Sequence, residues 1–214
     1  MEAKEILKKI DHTALAATAT TEDIKKLCDE AVSYGTASVC IPPSYIRWAR
    51  ENFKDLNLCT VIGFPLGYNT TAVKVFETEQ AVKDGADEID MVVNLGFVKD
   101  KKFREVTEEI SAVKKACQGK ILKVIIETCY LDEDEKKELC RCVTNAGADF
   151  IKTSTGFGTK GAEISDIALF KENIGENVKI KAAGGIRTKE DMEKYIEAGC
   201  ERIGTSKASI LFSE

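Results

Sequence analysis

The sequence predicts a (β/α)8 barrel. Three observations predict it: eight short strand-like runs alternate with helical segments, a glycine-led junction recurs along the chain, and no composition break divides it. The strand-like runs cover 10–12, 38–41, 59–63, 88–93, 122–128, 150–154, 179–182 and 202–204. The segments between them carry helical periodicity. In 22–34, Ile24, Leu27, Cys28 and Ala31 fall on one face. Thr188 followed by Asp191 has the form of a capping box that opens another helix. Strands that alternate with helices pair in parallel. At roughly 27 residues per unit, eight units close a barrel with short loops, since the usual barrel runs to about 250 residues. An open doubly wound sheet is the alternative arrangement. Prolines number three, Pro42, Pro43 and Pro65, and no Gly/Ser linker or charge block interrupts the chain. Residues 1–214 therefore read as a single domain.

The repeat sharpens this expectation. Gly35, Gly85, Gly147 and Gly199 are each followed four residues later by a β-branched residue: Val39, Ile89, Ile151 and Ile203. The glycines are 50, 62 and 52 residues apart, about two βα units each, and each suits a helix C-terminus. The β-branched residues should face the helices. Side chains alternate along a strand, so the next residue in each copy should face the barrel interior. Those residues are Cys40, Asp90, Lys152 and Gly204. Residues from alternate strands share one layer of such a barrel. A thiol, a carboxylate, an amine and a vacancy should therefore converge where a purely structural layer would use Val, Ile or Leu.

Composition narrows the function. The chain has 214 residues, 43% hydrophobic and 31% charged, with a formal net charge of −5. Such a chain is globular, and its scattered basic residues make a nucleic-acid partner unexpected. No apolar run of membrane-spanning length occurs, and the mixed, charged segment Met1 to Lys9 does not have the form of a signal or transit peptide. The expectation is a cytoplasmic protein with no membrane partner. Its eight cysteines include no C-x-x-C pair and read mostly as reduced, buried thiols.

Lys152 lies in Phe-Ile-Lys-Thr-Ser-Thr-Gly (150–156), within an apolar run. Lysine is almost never fully buried without a partner or a task. The plain structural alternative is an ion pair with Asp90. The functional reading is a nucleophilic amine, which must be neutral near pH 7 although free lysine titrates near about 10.4. Burial and a neighbouring cation would do this. Lys181, in Val-Lys-Ile-Lys-Ala-Ala-Gly-Gly (178–185), can supply the cation; of the two ammonium groups, the more desolvated is expected to give up its proton. Lys179 reads as a solvated or bottom-layer residue. Asp90 faces the same space and could move a proton. Lys123 and Glu127 alternate on the fifth strand and suit a shell around Asp90, or a structural ion pair. Asp11 is positioned to reach the mouth. Turns at Thr155-Gly156, Gly184-Gly185 and Gly204 to Ser206 follow the last three strands. Their backbone N–H groups could cradle a phosphate at the usual barrel site. His12 is the single histidine, so a histidine-based zinc site is not expected. His12 itself reads as structural or substrate-adjacent, and Trp48 as helix packing.

These residues resemble the deoxyribose-phosphate aldolase family. The resemblance runs through Ile-Asp-His-Thr-Ala-Leu (10–15), Ser-Val-Cys-Ile (38–41), Val-Ile-Gly-Phe-Pro-Leu-Gly (61–67) and Glu-Ile-Asp-Met-Val-Val-Asn (88–94). It continues through Lys-Val-Ile-Ile-Glu-Thr (123–128), Phe-Ile-Lys-Thr-Ser-Thr-Gly-Phe (150–157), Lys-Ala-Ala-Gly-Gly-Ile-Arg (181–187) and Arg-Ile-Gly-Thr-Ser (202–206). It implies a class I aldolase that reversibly cleaves 2-deoxy-D-ribose 5-phosphate to D-glyceraldehyde 3-phosphate and acetaldehyde with no metal or cofactor, the iminium serving as the electrophile. It also implies Lys152 as the Schiff-base lysine, Asp90 and Lys181 as the proton-relay pair, and Gly156, Gly184, Gly185, Gly204 and Ser206 at the 5-phosphate. Cys40 matches a thiol near the site, for which packing is the simpler role. The sequence departs from the family at three places. Phe157 stands where some members carry Lys, Lys207 where many carry Ser, and the Leu-Phe-Ser-Glu end lacks the terminal Tyr of some members. Members are often dimers or tetramers, so a homo-oligomer is a natural expectation. The rival readings are a different phosphosugar Schiff-base aldolase and a non-catalytic phosphosugar-binding barrel.

Overall fold

A computed structural model describes residues 1–212, Phe212 by its backbone alone, and in it eight parallel strands close into a barrel in sequence order. The strands are β1 (Ile10–Thr13), β2 (Ser38–Ile41), β3 (Leu58–Ile62), β4 (Glu88–Val92), β5 (Ile121–Ile125), β6 (Phe150–Lys152), β7 (Lys179–Ala183) and β8 (Arg202–Thr205). The helices around them are α1 (Ala3–Leu7), α2 (Thr21–Tyr34), α3 (Ile46–Asn52), α4 (Thr71–Asp84) and α5 (Leu95–Lys99). They continue with α6 (Phe103–Ala116), α7 (Glu133–Asn145), α8 (Ile164–Asn173) and α9 (Lys189–Ala198). Closure in order excludes the open-sheet alternative. Among the described residues no helix is long and apolar enough to cross a membrane. Ser213 and Glu214, at the end that lacks the family's terminal Tyr, lie outside the described residues.

Local chemistry explains where the helices begin and end. Reciprocal capping boxes open α2 (Thr20 with Asp23), α7 (Asp132 with Glu135) and α9 (Thr188 with Asp191), each satisfying backbone N–H groups that the first turn leaves unpaired. Gly35 and Gly199 close α2 and α9 with φ of 68° and 118°, in the left-handed region that a side chain would disfavour.

The alternation along the repeat is as expected. Val39, Ile89, Ile151 and Ile203 are fully buried in the large apolar layer between barrel and helices. Burying each aliphatic side chain contributes about 1.5–3 kcal/mol. Cys40 belongs instead to a separate small cluster inside the barrel, with Cys59 and Val61. His12 points outward, its Nε2 2.8 Å from Glu30 Oε2 beside the Tyr34 ring, so its role is structural. Trp48 packs edge-on against Phe53. Seven of the eight cysteines are buried, and Cys129 is half-buried. Burial pushes the thiols of Cys28, Cys117, Cys140 and Cys200 up to about 12.

Two strands end at least two residues earlier than the sequence suggests. Residues 126–128 leave β5 and residues 153–154 leave β6. Glu127 adopts left-handed backbone (φ 50°, ψ 66°), which breaks the pleat. The Thr128 N–H then donates to the Thr153 carbonyl at 2.9 Å, so the two strand exits are tied to each other.

Candidate active site

The barrel interior holds a compact set of charges. Asp90 on β4 is fully buried and receives three ammonium groups: Lys152 Nζ at 2.6 Å and Lys181 Nζ at 2.8 Å on Oδ2, and Lys123 Nζ at 2.9 Å on Oδ1. Register brings them together, since Asp90 pairs with Lys123 across β4 and β5, and Lys152 with Lys181 across β6 and β7. Asp11 on β1 adds a second carboxylate, 2.5 Å from Lys181 Nζ and 2.7 Å from Arg202 Nη1. Glu88 adds a third, 2.5 Å from Lys123 Nζ and 3.0 Å from Arg202 Nη2. Arg202 lies over the Phe150 ring.

Named in full, the set is Asp11, Glu88 and Asp90 against Lys123, Lys152, Lys181 and Arg202. If every group is ionised, one positive charge is in excess. Burial alone would push the Asp11 carboxyl up, but Lys181, Lys123 and Arg202 outweigh it and hold it below the usual carboxylate range. Burial opposes the ionised Asp90 likewise, and Lys123, Lys152 and Lys181 overcome it. Burial would strip the proton from Lys181, yet Asp11 and Asp90 hold that ammonium above its ordinary range. Lys123 is held up in the same way, chiefly by Asp90. This corrects one expectation from the sequence. Both Lys152 and Lys181 are buried, so desolvation does not choose between them. Their contacts differ: Lys181 touches two carboxylates and Lys152 one.

Above this set opens a cavity of about 670 Å³, with Lys152 among its lining residues. Gly156, Gly184, Gly185, Gly204, Ser206, Arg187 and Lys207 also line it. Gly156 and Gly185 have φ of +89° and +78°, and a Cβ on either would enter open space. Among the described residues, no protein acceptor takes the N–H of Gly156, Gly185 or Ser206. A Cβ on Gly161 would lie 2.1 Å from the Gly184 carbonyl oxygen, so the loop after β6 and the exit of β7 touch backbone to backbone. Such a mouth of exposed N–H groups flanked by Arg187 and Lys207 suits an anion. Thr155 differs from its neighbours: its N–H donates to Glu127 Oε1 at 3.1 Å and its hydroxyl to Glu127 Oε2, so both donors are already engaged.

The structure brings Asp11, Asp90, Lys123, Lys152 and Lys181 together. Asp11 lies within the buried set and not at the mouth, because its partners Lys181 and Arg202 hold it inside. Glu127 is not beside Asp90, because its turn lifts it out of the strand alternation. Gly204 does not leave a vacancy: a Cβ there would meet Lys181 Cε at 3.3 Å. Lys179 is exposed below, near the Phe150 ring. Cys40 is fully buried, and its hydrogen bond with Cys59 draws its thiol below the ordinary value. Cys40, Cys59 and Asp90 offer ligand atoms within 4.8 Å of one another. Lys123 Nζ sits 3.3 Å from Cys59 Sγ and 2.9 Å from Asp90 Oδ1. Glu88 and Arg202 were legible but unread. Each precedes an inward residue of its strand by two positions, and the alternation that selects Asp90 and Gly204 selects them as well.

Residues 5–210 match the model of the DeoC/LacD family aldolases. A deoxyribose-phosphate aldolase of Clostridioides difficile is 62% identical over 95% of this chain and 93% of its own length. One from Streptococcus agalactiae is 57% identical over 97% of this chain and 93% of its own. The solved tetrameric deoxyribose phosphate aldolase of Aeropyrum pernix superposes with a TM-score of 0.93 at 33% identity, covering 99% of this chain and 92% of that one. Similar along nearly its whole length to the family model and to these enzymes, the chain belongs to the DeoC/LacD family of aldolases.

Proposed function

We propose that residues 1–214 form one catalytic domain that reversibly cleaves 2-deoxy-D-ribose 5-phosphate to D-glyceraldehyde 3-phosphate and acetaldehyde through a Schiff base on Lys152. The observation that carries the reading is the charge excess around Asp90. Loss of one proton from Lys152 balances the set, which supports Lys152 as the neutral nucleophile and Lys181 as the standing cation.

The neutral Lys152 amine adds to the open-chain C1 aldehyde. Asp90 and Lys181, both at hydrogen-bond distance in this network, pass the protons needed to expel water and form the iminium. The iminium restores the positive charge that Lys152 gave up, and Asp90 Oδ2, 2.6 Å from Nζ, faces it. The Asp90–Lys181 pair takes the C3 hydroxyl proton as the C2–C3 bond breaks, the bond's electron pair flows into the iminium to give an enamine, and the pair later returns that proton to C2. D-Glyceraldehyde 3-phosphate leaves. Protonation of the enamine at C2 and hydrolysis release acetaldehyde and regenerate Lys152. The N–H groups of Gly156, Gly184, Gly185 and Ser206, beside Gly204 in the cavity lining, hold the 5-phosphate. Arg187 and Lys207 supply positive charge near Phe157, where some members carry Lys. Thr155 acts through the loop and not as a donor to the phosphate.

A cytoplasmic homo-oligomer is part of the same proposal. Leu66, Tyr68, Val73 and Phe76 expose apolar surface before and along α4, and the Aeropyrum pernix relative is a tetramer. Borohydride trapping with acetaldehyde, followed by peptide mass spectrometry, tests the chemistry. A reduced two-carbon adduct on Lys152 is expected. A folded protein that takes no adduct, or takes it on another lysine, would overturn the assignment.

A further inference from the structure

Glu127 is 3% exposed, carries a carboxylate, and adopts a left-handed backbone with φ of 50°. That conformation is uncommon for a residue with a Cβ and favours Gly, Asn or Asp. A strained residue held by its surroundings is a pointer to function. Here the side chain has a definite use. It spans from the end of β5 to the loop after β6 and takes both donors of Thr155. Thr155 Oγ1 in turn accepts the N–H of Phe157 at 3.0 Å. Gly156 lies between the two bonded residues, with its own N–H free toward the cavity. Gly158 packs so close that a Cβ there would lie 3.1 Å from Glu127 Cδ. The carboxyl group thus ties the loop after β6 to the end of β5 through Thr155 and packs against Gly158.

We propose that Glu127 is a positioning residue for the phosphate half of the site. Acting through Thr155, it fixes the orientation of Gly156 and of the loop that follows Lys152. The inference rests on the 5-phosphate reading given above. A buried carboxyl needs hydrogen-bond partners, and Thr155 supplies two. Charge-assisted bonds of this kind are among the stronger ones in a protein interior.

The test compares two substrates on the full chain: 2-deoxyribose 5-phosphate and unphosphorylated 2-deoxyribose. In Glu127→Gln, the ratio of their kcat/KM values should fall about tenfold or more, mainly through KM for the phosphorylated substrate. Inorganic phosphate should lose potency as a competitive inhibitor by a similar factor. The Lys152 adduct with acetaldehyde should still form. Thr155→Val should reproduce the loss, Thr155→Ser should spare it, and Glu127→Gln with Thr155→Val should be no worse than either alone. Equal losses on both substrates, or an unchanged ratio in the two disrupting single variants, would overturn the proposal. Absence of turnover in the unaltered protein would instead overturn the 5-phosphate reading on which it rests.

Discussion

Replacing Lys181 with Met removes the standing cation while keeping the length of the side chain. Lys152 and Lys181 both donate to Asp90 Oδ2, at 2.6 and 2.8 Å, so their Nζ atoms are no more than about 5.4 Å apart. At that separation two unit charges interact by about 3 kcal/mol with an effective dielectric of about 20. That corresponds to roughly two pH units in the equilibrium between ammonium and amine. The variant also balances the buried set with Lys152 still protonated. Free amine at pH 7 should therefore fall about a hundredfold, and turnover with it. The assay is the rate of borohydride-trapped acetaldehyde adduct against pH, read by intact mass spectrometry, beside cleavage of 2-deoxyribose 5-phosphate. The pH midpoint of adduct formation should rise by roughly two units. A folded variant whose midpoint stays in place would refute the electrostatic pairing, even if turnover were lost.

Other consequences follow from the same geometry. Asp11 and Asp90 are held below the usual carboxylate range, so the stability they contribute is complete above about pH 5 and is lost as pH falls through their folded values. Lys123 and Lys181 are held above the usual range, so their contribution is complete below about pH 9 and is lost as pH rises through theirs. Urea midpoints should therefore form a plateau between these limits; a maximum near pH 4 would contradict the network. Arg187→Ala and Lys207→Ala should each raise KM for the phosphorylated substrate, by about tenfold for a desolvated contact, with little change for 2-deoxyribose. Identical effects on both substrates would remove these residues from the phosphate. Gly161→Ala drives a Cβ to within 2.1 Å of the Gly184 carbonyl and should cost about 1–3 kcal/mol of stability in thermal or urea unfolding, together with phosphate affinity. An unperturbed Gly161→Ala protein would show that the two loops separate freely.

The barrel was legible because two short-range rules suffice for it. Period-two alternation placed Val39, Ile89, Ile151 and Ile203 outside, and Cys40, Asp90 and Lys152 inside. Glycines at helix ends marked the junctions. The centre of the site was legible for the same reason, since a lysine and an aspartate on inward positions of apolar strands are conspicuous. Partnership across the barrel was not legible. It depends on strand stagger, which sets Asp11 beside Lys181 and Lys123 beside Glu88, residues that no local pattern connects. Glu127 misled for another reason. The alternation that governs a strand holds only while the strand lasts, and its left-handed turn ends β5 first.

The state of the thiols bears on a hazard peculiar to aldehyde chemistry. Sulfur attacks electrophiles as thiolate, and acetaldehyde is an electrophile released inside this barrel. Cys28, Cys117, Cys140 and Cys200 lie behind the helices or under them, with their protons held to about pH 12. At neutral pH almost none of that sulfur is ionised. The same packing that fills the space between strand and helix thus shields these four cysteines from the enzyme's own product.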